Sequence, residues 1–303
     1  SSKLANYQKK KSYYLNQIEM LKKIELPLNS FKDLADHAKS SQLKFLSTPF
    51  DDESLDFLVN EVKVSILKVP SGEINNFQFL SKIKSKNLPV IISTGASNLN
   101  EITSVFNFFT SKENESKKID NLIKKKIILL KKFNKKISIL HCVSEYPVPL
   151  YNLNLKFIRK LKKKFPCDIG FSDHSKSIIA PSIAVALGSS IIEKHFTLDN
   201  KLKGPDHHMS LNPNELKKTI EFVRNTELSL GVEKKILTTV ELKNKKVFRK
   251  YIVANSKIKK GDLFSKLNLT TKRSNKGISS SKYYQLIGKR SKFNFKKDQS
   301  IKC

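Results

Sequence analysis

The chain has 303 residues, of which 39% are hydrophobic and 19 are phenylalanine, and it carries a formal net charge of +31. This apolar content is sufficient for one large core and a small second domain, which excludes a generally disordered chain. The sequence shows neither an apolar run long enough to cross a bilayer nor a signal-peptide pattern, so we expect a cytoplasmic protein with no membrane partner. Its three cysteines are too few and too widely spaced for a disulfide framework or a cysteine metal site.

The high positive charge does not by itself indicate a nucleic-acid binder. Only five of the 58 basic residues are arginine, the residue that most often makes bidentate contacts to bases and phosphates. The lysines are distributed along the whole chain instead of forming one stripe. This distribution favours a compositional bias toward lysine, and no nucleic-acid partner is expected.

Short β-rich runs alternate with amphipathic helical segments along most of the chain. Such alternation predicts a parallel sheet, and polar residues collect where the runs end, as they do at the carboxyl-terminal face of a TIM-type (β/α)8 barrel. A doubly wound open sheet is the alternative, but no glycine-rich dinucleotide fingerprint follows any of the runs. The predicted strands are 44–48, 65–71, 89–94, 137–144, 168–174 and 190–195.

The number of these units predicts that the barrel lacks its beginning. Six βα units are visible where a full barrel has eight, and the sixth strand is followed by its own helix. At ~30 residues per unit, we expect two further units of about 50 to 60 residues in total to precede Ser1.

Helix boundaries and one insertion are also visible in the sequence. Asn212 and Pro213, followed by Glu215, have the pattern of a helix start, and Gly231 is a suitable stop. The stretch 111–136 is longer and more charged than the other connections, which predicts a solvated insertion before the fourth visible strand.

A change of composition after the last helix predicts two domains. The barrel domain is predicted over 1–231, and the lysine-rich residues 232–246 are predicted to be a linker. Residues 247–303 alternate short β runs with a KKGD turn, which predicts a small β-rich domain.

Seven blocks of sequence follow one another along the chain: STPFDDESLDFL, KVPSGEINN, PVIISTGASNLNEI, LHCVSEYPVP, GFSDHS, ALGSSIIEKHFTLD and KGPDHHMSLNPNEL. In this order they resemble the N-acetylneuraminate (sialic acid) synthase family, which includes legionaminate and pseudaminate synthases. The tail IVANSKIKKGDLFSKLNLTTKRSNKGIS resembles that family's C-terminal SAF, or antifreeze-like, domain. The motifs SGEINN and HCVSEYP are more similar to the neuraminate and legionaminate branch than to the pseudaminate branch.

The resemblance implies a phosphoenolpyruvate-dependent transferase that makes a nine-carbon nonulosonic acid. In such an enzyme C3 of phosphoenolpyruvate attacks the aldehyde carbon of an open-chain N-acetylated amino sugar, water adds at C2, and phosphate leaves by C–O cleavage. The sequence does not distinguish N-acetylmannosamine from a 2,4-diacetamido hexose as the acceptor.

Lysine and hydroxyl side chains at the ends of predicted strands suit the two anionic groups of phosphoenolpyruvate. A cation, hydroxyls and backbone N–H groups hold phosphates and carboxylates well, and Gly72 and Gly95 allow the main chain to approach an anion. The alternative is that each of these residues has an ordinary surface or turn role. The resemblance assigns phosphoenolpyruvate binding to Lys68, Ser71, Ser93 and Ser172, with Thr48 and Ser144 as weaker matches.

Two histidines close consecutive predicted strands. His174 and His195 are therefore expected side by side at the carboxyl edge of the sheet, where an imidazole pair suits a divalent ion completed by waters and the sugar oxygen. The alternative is a pair of hydrogen-bonded core histidines. The resemblance implies a manganese-type site, with magnesium or cobalt as other candidates, in which the ion polarises the sugar aldehyde.

The resemblance places three further residues near the sugar or the metal. Tyr146 and Glu193 are expected to be catalytic, and Glu193 shares a strand face with His195, two residues later. Asp206 and Tyr146 are expected at the sugar. The alternatives are that Glu193 forms an ion pair with Lys194 or a neighbouring lysine and that Asp206 is a turn residue.

Arg273 corresponds to the family's sugar-recognition arginine. The resemblance implies a domain-swapped homodimer in which Arg273 reaches the barrel of the partner subunit, since a planar guanidinium suits an N-acyl oxygen and hydroxyls. This sequence has KRSNKG where relatives usually have KRPGNG, so the arginine is kept but the Pro-Gly turn is absent. A solvent-facing arginine in a basic tail is the alternative.

The family motifs of the first two barrel strands are absent from the sequence. These are a catalytic glutamate in an AEIG-type motif and a lysine and glutamine at phosphoenolpyruvate. The chain by itself is therefore expected to be inactive, either as a piece of a complete enzyme or as a sugar- or anion-binding remnant of the family.

Overall fold

The computed structural model of the chain describes residues 16–111, 136–274 and 276–302. These residues divide into two compact units, the first within Ser1–Gly231 and the second within Val232–Cys303. The predicted insertion over 111–136 lies, except for its two end residues, outside the described part of the chain. No helix among the described residues is long and apolar enough to cross a membrane.

A five-stranded parallel sheet forms the centre of the first unit. Each strand pairs in parallel with the next along the chain, in the order β1-β2-β3-β4-β5. All five carboxyl ends therefore lie at the same edge of the sheet. The strands are β1 (Leu67–Val69), β2 (Val90–Ser93), β3 (Ile137–Cys142), β4 (Asp168–Asp173) and β5 (Ile191–Lys194).

Helices precede and connect these strands, so the first unit is a mixed α/β fold with a parallel sheet, as predicted. The helix that begins at Asp52 continues through a π-helical turn, Phe57–Glu61, and short 3-10 turns occupy Ser71–Glu73, Leu150–Asn152 and His207–Met209. The helices are α1 (Gln17–Ile24), α2 (Leu28–Ser40), α3 (Asp52–Asp56), α4 (Phe77–Ser85), α5 (Leu99–Thr110), α6 (Lys156–Lys164), α7 (Ala180–Ala186) and α8 (Pro213–Leu230).

The core of the first unit lies on both faces of the central strands. In β3 the consecutive residues Ile139 and Leu140 are 0% and 1% exposed, although neighbouring strand residues point to opposite faces. Burial on both faces is the usual condition of a parallel sheet. Leu80 and Ile83 of α4 are fully buried in the same core, one helical turn apart.

One predicted strand is wrong, because residues 44–48 form no strand and pair with no described residue of the sheet. The sheet therefore has five strands among the described residues, where the sequence predicted six. Phe45 packs edge-on against Phe31 of α2, with ring centroids 6.5 Å apart. Residues 44–48 instead form an irregular segment, in which Phe45 packs against the core. A β-rich composition favours a half-buried surface but does not supply a ladder partner.

The boundaries of α8 are confirmed. The Asn212 side chain accepts hydrogen bonds from the backbone N–H groups of Asn214 and Glu215, and the Glu215 carboxylate accepts one from the Asn212 N–H. This reciprocal capping box satisfies N–H groups that a helix start leaves without partners. The helix ends before Gly231, whose φ of 53° lies in the left-handed region that glycine adopts readily.

The second unit is small and contains two antiparallel strands, β6 (Lys250–Ala254) and β7 (Leu269–Arg273). Before them comes helix α9 (Thr239–Phe248), so the residues predicted as a linker over 232–246 include a capped helix start. A short helix, α10 (Tyr283–Leu286), follows the strands after a 3-10 turn, Ser280–Lys282. The core of this unit consists of Ile252, Ala254, Ile258, Phe264, Leu269, Phe295 and Ile301.

Candidate functional site

Polar side chains from strands at the two ends of the sheet meet at one place. Lys68 Nζ of β1 lies 3.3 Å from Glu193 Oε2 of β5, and Ser172 Oγ of β4 donates to Glu193 Oε1 at 2.7 Å. In a flat sheet β1 and β5 would be four strand spacings apart, about 19 Å. This distance exceeds the combined reach of a lysine and a glutamate side chain. The Lys68–Glu193 contact therefore requires the sheet to curl into a half-barrel, with these side chains on its inner face.

The two predicted histidines lie side by side at the carboxyl edge. Their ring centroids are 5.3 Å apart, and the Tyr146 ring lies 4.2 Å from His174 and 6.0 Å from His195. Ser172 and Glu193 are paired in the β4–β5 register, and the histidines follow each of them by two residues, so all four side chains share the inner face. Asp206 Oδ2 lies 3.7 Å from His195 Nδ1.

Burial favours the neutral form of both histidines. It lowers the pKa of His174, although the hydrogen bond of its ring to the Val143 carbonyl opposes the shift. It also lowers the pKa of His195, although the negative charge of Asp206 raises that pKa and so opposes the shift. Both imidazoles are therefore more readily neutral than an exposed histidine, and a neutral ring keeps a lone pair for binding.

The two histidines fit a divalent metal as a pair of nitrogen donors. His174 Nδ1 lies 2.9 Å from the Val143 carbonyl oxygen, and since a carbonyl only accepts hydrogen bonds, Nδ1 carries the proton and Nε2 keeps its lone pair. No group of three or more His, Cys, Asp or Glu side chains suited to a metal occurs in the described ranges. The protein would thus supply two nitrogen ligands, and waters or substrate oxygens would supply the others.

A second group of small polar side chains surrounds Gly95, directly after β2. The Gly95 N–H donates to Ser71 Oγ at 2.8 Å, and a Cβ atom at Gly95 would lie 2.8 Å from Ser71 Oγ and still closer to Ser144 Oγ. Any side chain at this position would therefore displace the two hydroxyls. Ser93 is 3% exposed, and none of the described residues offers its Oγ a hydrogen-bond partner. A buried hydroxyl without a partner is a candidate for contact with a bound ligand.

A cavity of about 1070 Å³ opens beside this second group. Thr94, Cys142 and Ser144 line it, together with Lys156 and Lys160 of α6. Lys68, Glu193, His174 and His195 are not among its lining residues. The cavity therefore lies beside the group around Gly95 and contains neither the Lys68–Glu193 contact nor the histidine pair.

Thr48 does not join the cluster, and Arg273 belongs to the other compact unit. Thr48 lies in the irregular segment before α3, and none of the contacts described above includes it. Arg273 ends β7 in the second unit, where its guanidinium lies 5.8 Å from the centroid of the Phe248 ring. The functional roles assigned to all the predicted site residues remain predictions.

Three residues at the site were not predicted as site residues from the sequence. Cys142 Sγ lies 3.9 Å from both Ser71 Oγ and His174 Nδ1, between the two groups of side chains, and burial raises the pKa of its thiol. Asp173 and Lys194 form an ion pair of 2.7 Å, with side chains 0% and 5% exposed. The only signal for Asp173 and Lys194 in the sequence is that each of them directly precedes a histidine of the pair.

Comparison with known proteins gives two family matches. The NeuB family matches residues 1–235, and the SAF domain matches residues 249–302. The chain is 42% identical over 287 residues to N,N'-diacetyllegionaminic acid synthase of Campylobacter jejuni subsp. jejuni serotype O:2, a match that covers 95% of this chain and 80% of that protein. It is 31% identical to pseudaminic acid synthase of the same organism, over 94% of this chain and 76% of that protein.

Solved structures of related proteins are similar to the chain in both sequence and fold. The N-acetylneuraminic acid (sialic acid) synthetase of Leptospira borgpetersenii serovar Hardjo-bovis shares 31% sequence identity with the chain and superposes with a TM-score of 0.64. The match covers 79% of this chain and 76% of that one.

Proposed function

The chain belongs to the NeuB family and carries a SAF domain, and on that premise we propose that it condenses phosphoenolpyruvate with an N-acetylated amino sugar. The products are a nonulosonic acid and inorganic phosphate. The observation that carries the proposal is the convergence of Lys68, Glu193 and the histidine pair at the carboxyl edge of one curled sheet, where enzymes with this type of sheet hold their substrates.

The same observations support a finer proposal for the fold, namely that the five strands are part of a (β/α)8 barrel. The Lys68–Glu193 contact requires a curvature that brings β1 toward β5. The similarity to the sialic acid synthetase structure covers most of both chains. An open twisted sheet would hold these two side chains too far apart.

We assign the binding position of phosphoenolpyruvate to the inner face of the sheet and the residues around Gly95. The Lys68 ammonium and the hydroxyls of Ser71 and Ser93 would bind its phosphate and carboxylate, since charge-assisted hydrogen bonds are the strongest contacts to such groups. The buried Ser93 hydroxyl, which lacks a described partner, supports this assignment. Ser172 and Ser144 extend the same set of hydroxyls, and Thr48 is its weakest member.

The acceptor sugar is assigned to the side of the cluster formed by Tyr146, Asp206 and the histidines. A divalent ion, with manganese preferred over magnesium or cobalt, would bind His174 and His195 and supply Lewis-acid polarisation of the sugar aldehyde. Tyr146 would pack against the sugar, and Asp206 would accept hydrogen bonds from its hydroxyls. Ring contacts of Tyr146 with both histidines support its inclusion in this set.

Glu193 is assigned to proton transfer. Its carboxylate is held by the Ser172 hydroxyl and by Lys68, which keeps it between the proposed phosphoenolpyruvate and sugar ends of the site. It would accept a proton from the water that adds at C2 of phosphoenolpyruvate, before phosphate leaves with the C–O bond electrons.

Arg273 is assigned to the sugar through a homodimer. Its exposed guanidinium lies in the SAF domain, and we assign it to the site of the partner subunit, where its planar donors would bind the N-acyl oxygen. The acceptor itself is proposed to be a 2,4-diacetamido hexose ahead of N-acetylmannosamine, because the legionaminic acid synthase is 42% identical and the sialic acid synthetase 31%.

Mass spectrometry of the reaction products tests the proposed function. The full-length protein is incubated with phosphoenolpyruvate, Mn²⁺ and either sugar, and phosphate release is followed in parallel. Formation of the nine-carbon acid with one phosphate per sugar is the expected result, with faster turnover of the 2,4-diacetamido hexose. Binding of phosphoenolpyruvate without turnover of either sugar would instead favour a ligand-binding remnant of the family.

A further inference from the structure

A buried ion pair lies directly behind the histidine pair. Lys194 Nζ of β5 lies 2.7 Å from Asp173 Oδ2 of β4, and the two residues are the last register pair of the β4–β5 ladder. Since strand residues alternate between faces, this pair lies on the opposite face of the sheet from Ser172, Glu193 and the histidines. It therefore cannot touch a substrate held on the inner face.

The ion pair restrains the backbone on both sides of His174. Asp173 Oδ1 accepts a hydrogen bond from the Ser175 N–H at 2.8 Å, and Lys194 Nζ donates to the Ser175 carbonyl. Asp173 and Ser175 are the two chain neighbours of His174, so both are tied to one ammonium group. The same ammonium belongs to the residue that directly precedes His195.

This restraint acts where the β-ladder has ended. The last paired residues are Asp173 and Lys194, and each histidine follows them without a ladder partner on the other strand. The His174 carbonyl accepts from the Val148 N–H at 3.1 Å and the His195 carbonyl from the Leu211 N–H at 2.9 Å. These bonds anchor each histidine to its own loop, whereas the ion pair joins the two strand ends on the face opposite to the Ser172–Glu193 hydrogen bond.

Stability alone is a weak reason for such a pair. Taking an ammonium and a carboxylate out of water is costly, and well-packed apolar side chains at such positions are often at least as stabilising. A buried ion pair does, however, hold its partners in one geometry, because both charges require their hydrogen bonds.

We infer that Asp173 and Lys194 are positioning residues that set the separation and orientation of His174 and His195. The inference rests on the proposed role of the two histidines as metal ligands. A two-histidine site depends strongly on ring geometry, because the protein offers the ion few other ligands. Groups that orient ligating histidines commonly change metal affinity by about 10- to 100-fold when they are replaced.

The inference is tested by measuring both the Mn²⁺ affinity and the thermal stability of variants of the ion pair. Mn²⁺ binding to the full chain is titrated by electron paramagnetic resonance for the wild type, Lys194→Met and Asp173→Asn, and thermal unfolding is recorded for each. Leu80→Ala, at a fully buried position of α4, serves as a destabilised control. We expect the Mn²⁺ dissociation constant to rise on the order of tenfold in the two ion-pair variants and to stay unchanged in the control at a similar loss of melting temperature.

Two results would overturn the inference. One is an unchanged Mn²⁺ affinity in folded Asp173→Asn, and the other is an equal loss of affinity in Leu80→Ala, which would show that general destabilisation is the cause. If the wild type binds no Mn²⁺, the metal proposal itself fails. Crystal structures of the wild type and Asp173→Asn then test the positioning role. The role requires the distance between the ring centroids of His174 and His195, 5.3 Å in the wild type, to change in the variant.

Discussion

At the scale of single residues, the site depends on few side chains with defined partners. Glu193 is held by Ser172 and Lys68, and His174 is oriented by the Val143 carbonyl. Each of these contacts restricts a side chain to one geometry before any substrate arrives. Such preorganisation is what makes a site sensitive to single substitutions.

The first prediction concerns Glu193. Glu193→Gln keeps the shape of the side chain but removes its ability to accept a proton, so kcat should fall by at least about 100-fold, the usual contribution of a general base. The fold should persist, since the Glu193 side chain is 36% exposed. Steady-state phosphate release measures the change.

A surface glutamate provides the control for this variant. Glu61 forms an exposed ion pair with Lys32, and Glu61→Gln should leave kcat unchanged. Activity of Glu193→Gln equal to that of Glu61→Gln would show that Glu193 transfers no proton.

The second prediction concerns the histidine pair. His195→Ala removes one of two nitrogen donors, so Mn²⁺-dependent turnover should be lost while thermal unfolding changes little in the absence of metal. His37→Ala, at an exposed position of α2, is the matched control and should retain full activity. Undiminished turnover of His195→Ala after treatment with a chelator would contradict the metal proposal.

At the scale of secondary structure, the strands carry the site and the helices hold the strands in register. Consecutive residues of β4 and β5 place the Ser172–Glu193 contact on one face and the Asp173–Lys194 contact on the other. A shift of register by one residue would exchange these two faces. The helices that pack on the sheet therefore determine the chemistry indirectly, through the alignment of the strands.

The third prediction concerns the start of α8. Asn212→Ala removes the side chain that caps this helix and should lower the free energy of unfolding by about 1 kcal/mol, measured by urea denaturation. Asn214→Ala, in the first turn of the same helix, leaves the capping box intact and should change stability less. An equal loss in both variants would mean that the cap contributes little.

At the scale of the whole molecule, the protein combines a NeuB-family unit with a SAF domain. The proposed sugar contact of Arg273 requires the SAF domain of one subunit to serve the site of another. Arg273 lies over the Phe248 ring, a contact that reduces the number of orientations open to the guanidinium. Oligomeric state and activity should therefore be linked.

The fourth prediction tests this link with two substitutions. Arg273→Lys should raise the KM for the sugar much more than that for phosphoenolpyruvate, because an ammonium cannot reproduce the planar donors of a guanidinium. Steady-state kinetics with each substrate varied in turn measure the difference. Lys272→Arg changes the neighbouring exposed side chain and should leave both KM values unchanged.

Mixed dimers show which subunit Arg273 serves. Arg273→Ala and His195→Ala chains, each inactive alone, should regain part of the activity when subunits exchange, since one site then has both groups. A mixture that stays inactive after exchange is demonstrated by native mass spectrometry would show that Arg273 acts within its own subunit or has no role.

Much of this organisation follows from the sequence alone. The alternation of β runs and helices predicted a parallel sheet, and the motifs around His174 and His195 identified the family and the expected chemistry. The capped start of α8 was equally visible, because Asn212, Pro213 and Glu215 act on their own backbone. Local signals of this kind are readable because their physical cause lies within a few residues of the chain.

Contacts between distant segments depended on the tertiary structure. Residues 44–48 have the composition of a strand but lack a ladder partner, and a partner is a property of the fold and not of the run itself. The contact of Lys68 with Glu193 depends on the curl of the sheet, and the Asp173–Lys194 pair depends on the register between two strands about twenty residues apart. Curvature and register arise from the packing of the whole unit, and for that reason no local pattern in the sequence encodes them.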